Sequence, residues 1–261
     1  MELDLTGKTA LVCGASKGLG KAIAIELAKL NARLILLARS EDKLQMVLAE
    51  INQLNGLSNE AIAIDLSNHK LLKSKLDDQL ESGPIHIVIN NTGGPAPGTL
   101  SEAALESFEK AFKMHILSAD LISKMTIPGM RKSSYGRIIN VVSTSVRQPI
   151  AGLAVSNTIR GAMASWAKTL SNELATDGIT VNNILPGTTN TERIQELMNS
   201  WSKQLDKSMD EVEMMFIDQI PMGRFAEPEE IASAAAFLAS PAASYITGTS
   251  LPVDGGKIKS I

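Results

Sequence analysis

Short, unbroken apolar runs alternate along this chain with longer segments of helical period. Thr9–Cys13 (TALVC), Arg33–Ala38 (RLILLA), residues 61–65, 85–90, 136–142 and 179–185, and Ser250–Val253 predict strands. Residues 20–30 follow the first run with Ile23, Leu27 and Leu30 on one helical face. After the second run, Ser40 stands where it can cap a helix. Glu41 and Asp42 then sit near its positive end, and Leu44, Val47, Leu48, Ile51 and Leu54 form its apolar stripe. A polar helix is expected over 68–80, a long helical stretch over 101–131, and a further helix over 153–176. Two helical segments fit within 191–219 and another covers 228–239. Strands that are apolar throughout, rather than alternating, are covered on both faces. Strand–helix repetition then means parallel pairing through right-handed crossovers. The expected fold is α/β, a single doubly wound parallel sheet of the Rossmann dinucleotide-binding type. No linker, low-complexity tract, charge block or repeat divides it, so residues 1–261 read as one domain.

The first strand–helix junction carries chemistry. Gly14-Ala15-Ser16-Lys17-Gly18-Leu19-Gly20 lies between a strand and a helix. A sharp turn, a close approach of backbone to a ligand, and tight packing of helix on strand all call for glycine there. The helix start then offers free N–H groups and a positive dipole to a pyrophosphate. At the end of the second strand, an NAD site tends to place Asp or Glu against the ribose hydroxyls. This chain has Ala38-Arg39-Ser40. Arg39 and Lys17 can flank a 2′-phosphate with Ser40 as a hydroxyl donor, so NADP(H) is expected over NAD(H).

Composition narrows the class. Of 261 residues, 44% are apolar and 20% charged, an ordinary globular mix. A net charge of −3 argues against a nucleic-acid partner. One cysteine makes no internal disulfide, and Cys13 reads as a small buried apolar residue. The acidic start MELDLTGKTALV is unlike a signal peptide, and no apolar run nears the ~18 residues of a membrane span. A cytoplasmic protein with no membrane partner is expected. His69 and His86 share no ligand spacing with His115 or Cys13, so no metal site is expected.

The motifs together resemble the short-chain dehydrogenases/reductases over essentially the whole length. The residues that carry the resemblance are Thr6-Gly7-Lys8, the G-x-x-x-G-x-G loop at 14–20, Asp65-Leu66, Asn90-Asn91-Thr92-Gly93, Gly136-Arg137-Ile138-Ile139-Asn140 leading to Ser143, Pro186-Gly187 followed by Thr191, and Val253-Asp254-Gly255-Gly256. The resemblance implies a cofactor set of Gly14, Ser16, Lys17, Gly18, Leu19, Gly20, Arg39, Ser40, Asp65, Leu66, Asn91, Thr92, Gly93, Arg160, Pro186, Gly187, Thr189 and Thr191. In that family a serine binds the substrate oxygen and a tyrosine thirteen residues later moves the proton. A lysine four residues beyond lowers the tyrosine's pKa, and an asparagine anchors a water.

Ser143 fits the serine. Ser156 stands at the tyrosine position, Arg160 at the lysine position and His115 at the asparagine position. Only two tyrosines exist. Tyr135 falls at the wrong end of its strand, and Tyr245 falls in a stretch that packs near the last strand, so both read as structural. The four candidate catalytic residues are therefore Ser143, Ser156, Arg160 and His115. The serines supply hydrogen bonds, Arg160 a permanent charge, and a water relay or the near-neutral titration of His115 the proton. Against this, Ser143 could simply end its strand, Ser156 begin its helix, Arg160 hold only the cofactor and His115 pack in a helix.

The expected function is NADP(H)-dependent hydride transfer to or from a carbonyl or alcohol, 3-oxoacyl reductase-like. The alternatives are a catalytically silent NADP(H)-binding sensor or assembly protein, and a dehydration or isomerisation in which Arg160 binds a substrate acid. The resemblance also implies a helical substrate lid at about 188–225. It holds Met198, Met209, Met214, Met215 and Met222 with Trp201 and Phe216, which suits a bulky, apolar substrate. Two amphipathic helices packing on the domain is the plainer reading of that segment. A homodimer or homotetramer formed through the long helices is implied as well.

Overall fold

Leucine-rich and β-branched runs form the strands β1 (Thr9–Cys13), β2 (Arg33–Ala38), β3 (Glu60–Ala63), β4 (Ile87–Asn90), β5 (Gly136–Val141), β6 (Ile179–Pro186) and β7 (Ser250–Val253) in a computed structural model that describes residues 1–260. All pair in parallel, in the order β3-β2-β1-β4-β5-β6-β7. The chain works outward from β1 to β3 and then returns to start again at β4. The loops after β1 and β4 therefore diverge and leave a crevice at the carboxyl ends of the strands.

The helices are α1 (Gly18–Lys29), α2 (Glu41–Asn55), α3 (His69–Glu81), α4 (Leu105–Phe112), α5 (Ser118–Lys132), α6 (Ala154–Leu174), α7 (Glu192–Leu205), α8 (Met209–Ile217) and α9 (Pro228–Ala239). One sheet face is covered by α1, α2 and α9 through Ile23, Leu27, Val47, Ile51, Ile231 and Leu238. The other is covered by α3, α5 and α6 through Leu72, Leu76, Ile122, Ala167 and Leu174. This accounts for strands apolar on both faces. No helix among the described residues is long and apolar enough to cross a membrane.

Three expectations are corrected. The stretch 101–131 is not one helix: α4 starts only at Leu105, and a π-helical turn, Lys113–Leu117, separates it from α5. Such turns widen a helix by one residue and re-aim its side chains, and this one carries His115. Ser40 occupies the N-cap position of α2 but makes no capping bond, so its hydroxyl is left for another partner. Leu54 is 46% exposed, because it lies at the margin of a stripe centred on Leu44, Val47 and Ile51.

A row of buried amides crosses the sheet near the crevice. Asn90 Nδ2 donates to Asn140 Oδ1 (2.8 Å), Asn140 Nδ2 to Asn183 Oδ1 (2.9 Å), and Asn183 Nδ2 to Ser250 Oγ (3.1 Å). The strand register pairs these same residues. Because each amide is satisfied by its neighbour, the row is tolerated in an apolar interior.

Candidate active site

The loop after β1 is built by close backbone approach. Gly14 has φ +64°, and a Cβ there would lie 2.6 Å from the carbonyl oxygen of Asn91. A Cβ on Gly20 would lie 2.1 Å from the Gly14 carbonyl oxygen. Asn91 Nδ2 donates to the carbonyls of Cys13 (3.3 Å) and Gly14 (3.4 Å), which joins the loops after β1 and β4 across the crevice. Cys13 is buried beneath this junction, and burial pushes its thiol up to about 12. Lys17, extended at the N-cap of α1, supplies no side-chain cap, so the first amides of that helix point outward without a side-chain acceptor. Ser16, Gly18 and Leu19 complete this edge of the crevice.

The far end of the crevice is basic. Arg39 and Ser40 are exposed just past β2. Lys17 Nζ lies 2.5 Å from Glu192 Oε2, and Lys43 Nζ lies 3.9 Å from Glu192 Oε1. The two lysines, from the β1–α1 loop and the start of α2, thus meet on one carboxylate carried by α7. Hydrogen bonding by Lys17, its charge, and the charge of Lys43 hold the Glu192 carboxyl below the usual range. Asp65 accepts from the amide (2.9 Å) and hydroxyl (2.7 Å) of Ser67, both through Oδ1. Those bonds lower its pKa, and Arg39 and Lys110 lower it further. Leu66 beside it is buried.

The inner wall holds His115 and Arg160. His115 is buried in the π turn, its Nδ1 2.5 Å from Thr92 Oγ1. Burial, and then the charge of Arg160, pull its pKa down to about 3. The ring is neutral near pH 7, so the expected near-neutral titration of His115 is not what this site provides. Arg160 is 9% exposed. Its Nη1 donates to the Val141 carbonyl (2.7 Å) and its Nη2 to the Thr92 carbonyl (3.4 Å). Burial lowers its pKa to about 10, with Arg193 adding to the shift, yet it stays charged at pH 7. Thr92, His115, Arg160, Asn90, Asn140 and Met163 line a small cavity of about 10 Å³, the scale of a single water.

Ser143 is partly exposed just beyond β5, and its Oγ accepts from the Ser145 amide (3.1 Å). That bond fixes the oxygen and leaves the hydroxyl proton free to donate. Ser156 is partly exposed in the first turn of α6. Tyr135 is tied down elsewhere: its hydroxyl donates to the Ala239 carbonyl (2.6 Å), with Lys8 and Arg137 over its ring. Tyr245 is fully exposed, so its ring packs on nothing, contrary to the structural role expected for it.

Past β6, a Cβ on Gly187 would lie 2.6 Å from Asp254 Cα, which explains why this glycine faces the Asp254-Gly255-Gly256 turn after Pro186. Thr189 Oγ1 donates to the Gly187 carbonyl (3.2 Å) and Thr191 Oγ1 to the Thr189 carbonyl (3.3 Å), folding the segment back over the crevice. The methyl of Thr191 sits 3.7 Å from where a Cβ on Gly18 would be. Helices α7 and α8 share a small core of their own, Ile194, Met198, Val212 and Phe216, with the Trp201 ring tilted at 38° to that of Phe216, their centroids 4.9 Å apart. Met198 is consumed in that core, while Met214 and Met222 face solvent. Met198, with Met209 packed against it, thus helps hold the helical pair together, while Met214 and Met222 stay on its outer surface.

The structure adds residues that the spacing did not single out: Lys43, Glu192, Arg193 and the amide row. Each acts through a partner distant in sequence.

Residues 14–257 match the family described as Enoyl-(Acyl carrier protein) reductase. The 3-oxoacyl-[acyl-carrier-protein] reductase FabG of Vibrio cholerae is 35% identical over 255 residues, covering 97% of this chain and 98% of that one. The NADPH-dependent reductase BacG of Bacillus subtilis is 32% identical over 259 residues, covering 98% and 100%. The structure of L-sorbose reductase from Gluconobacter frateurii, complexed with NADPH and L-sorbose, superposes with a TM-score of 0.94 at 30% identity, covering 100% of both chains.

Proposed function

The chain belongs to the short-chain dehydrogenase/reductase family, and on that footing we propose that it is an NADP(H)-dependent oxidoreductase acting on a carbonyl or alcohol, of the 3-oxoacyl reductase kind. The observation that carries the proposal is the meeting of Lys17 and Lys43 on one carboxylate beside the uncapped start of α1. Two ammonium groups already organised around an anion suit a 2′-phosphate. Arg39 and Ser40 border them, Asp65 with Leu66 receives the adenine, and Asn91, Thr92, Gly93, Pro186, Gly187, Thr189 and Thr191 hold the nicotinamide half. When bound, the nicotinamide supplies or takes up the hydride.

The protein's part is orientation and charge. Ser143 and Ser156 donate hydrogen bonds to the substrate oxygen. Arg160 places a fixed positive charge under the site where negative charge develops. In this reading Ser156 and Arg160 stand where relatives carry tyrosine and lysine. With His115 neutral, the proton reaches the substrate oxygen from water through the Ser156 hydroxyl. General acid catalysis contributes roughly 10²–10⁴-fold, so a slow turnover is expected rather than none. Helices α7 and α8 act as the lid over the substrate, in one domain. A cytoplasmic homo-oligomer completes the reading.

The test is NADPH oxidation by purified protein against a broad carbonyl panel, with Ser143→Ala as control. Substrate-dependent oxidation that falls about 10-fold or more in the variant supports the proposal. Turnover unaffected by Ser143→Ala overturns the site assignment. A silent NADP(H)-binding protein is the second reading, favoured by the hold of the Ala239 carbonyl on the Tyr135 hydroxyl and by serine at position 156. NADPH binding without turnover of any carbonyl, and activity gained in Ser156→Tyr/Arg160→Lys, would select it.

A further inference from the structure

Two guanidinium groups reach one loop from different elements. Arg160, from α6, donates to the carbonyl of Thr92 (3.4 Å). Arg193, from the first turn of α7, donates through Nη2 to the carbonyl of Pro95 (3.0 Å), and the same nitrogen lies 3.9 Å from a Cβ position on Gly94. Both arginines therefore grip the segment that follows β4, at the mouth of the crevice. The segment runs on to Gly98, which exchanges backbone hydrogen bonds with Gly152 and Ala154 at the start of α6, one turn from Ser156.

The charges around the two arginines do not balance. The hydrogen bonds of Arg160 go to neutral carbonyls, and among the described residues no carboxylate pairs with it. Arg193 has Glu196 at 3.5 Å, but this is an exposed pair one turn along its own helix, where water screens the attraction. A buried cation beside a second cation is costly unless an anion completes the group. An arginine fork is shaped for a carboxylate.

We propose that Arg193, with Arg160 beneath it, binds a carboxylate on the substrate, so that the enzyme acts on oxo acids and the matching hydroxy acids rather than on neutral ketones. Arg193 is then the residue that determines specificity, delivered by α7. The inference rests on the reductase reading and narrows its substrates to free oxo acids, in place of 3-oxoacyl thioesters, which carry no carboxylate. The phosphates of the cofactor offer the same anionic chemistry, and the experiment separates the two sources.

The experiment measures NADPH oxidation by the full chain with acetoacetate, 4-oxopentanoate and benzoylformate, each beside its methyl ester. The wild type is expected to prefer the acid by about 10-fold or more in kcat/KM in at least one pair. That ratio is expected to fall to about 1 in Arg193→Gln and to recover in part in Arg193→Lys, through KM rather than kcat. Ratios near 1 in every wild-type pair, with turnover present, overturn the inference and leave the reductase reading standing. So does an acid preference that survives Arg193→Gln. A loss of NADPH affinity in Arg193→Gln as large as the loss of acid preference assigns the anion to the cofactor and also overturns it. If no pair turns over, the same acids and esters are titrated by calorimetry into protein saturated with NADP⁺. Tighter binding of the acids, lost in Arg193→Gln, upholds the anion site while the reductase reading fails; equal binding of acids and esters overturns it.

Discussion

His115 shows what burial does to a residue whose type alone suggests a proton carrier. Its ring is 6% exposed, touches Thr92 and feels the charge of Arg160, and its pKa falls to about 3. In the unfolded chain it takes a proton near pH 6.5. Between those values the unfolded state holds one more proton than the folded state, so stability rises with pH through the window. The contribution is fully present above about pH 6.5 and is lost as the pH falls toward 3. Urea titrations from neutral pH down to about pH 4 should show a slope of up to ~1.4 kcal/mol per pH unit from this residue. His115→Asn should flatten the slope by that share and leave a remainder from His86, whose pKa burial also lowers. An unchanged slope in the variant would contradict the neutral assignment. The position of His115 was legible in the sequence, since the family resemblance sets it at the asparagine position. Its protonation state was not, because that depends first on burial by the fold and then on Arg160, forty-five residues away in the chain.

At the scale of elements, the same distinction separates what sequence conveys from what it hides. The glycine loop could be read because its constraints are local: Gly14 and Gly20 meet across six residues, and α1 begins beside them. The amide row, by contrast, joins residues 50 and 43 positions apart. The bond between Lys17 and Glu192 spans 175 residues, and that between Arg193 and Pro95 spans 98. No periodicity marks such pairs; each exists only because parallel pairing brings distant strand ends side by side. Helix α7 is the clearest case. Read alone it is an amphipathic helix, but folded it sets Glu192 on the lysines of the β1–α1 loop and α2, and Arg193 on the β4–α4 loop. In the proposed reading, Glu192 competes with a 2′-phosphate for Lys17 and Lys43. Glu192→Gln is expected to tighten NADPH binding about twofold to fivefold, the range of an exposed ion pair, with a smaller effect on NADH. Fluorescence titration of both cofactors checks this, and an equal gain for the two would show that the carboxylate does not lie on the phosphate's ground.

For the whole molecule, the crevice is where the loops of one continuous sheet core meet the helical pair α7 and α8. The sheet and its two helical layers are held by leucine, isoleucine and alanine packing, whereas α7 and α8 carry a core of their own. A dinucleotide lying along the crevice would touch the loops after β1, β2, β4 and β6 at once, and so join the two halves of the sheet to the helical pair. A ligand that binds only the folded state stabilises it according to its concentration over its Kd, by about 2.7 kcal/mol at a hundredfold excess. For a chain of this size that corresponds to a rise in Tm of roughly 5–10 °C. NADPH is expected to give that rise, and NADH at the same concentration a clearly smaller one. In the proposed reading the difference should shrink in Lys17→Ala/Arg39→Ala, leaving the share of Lys43 and Ser40, because the 2′-phosphate is what the two cofactors do not share. Differential scanning fluorimetry reads all four combinations. Equal shifts with the two cofactors in the wild-type chain would mean that the basic end of the crevice serves the fold or another anion, and that NADP(H) is not the preferred partner of this site.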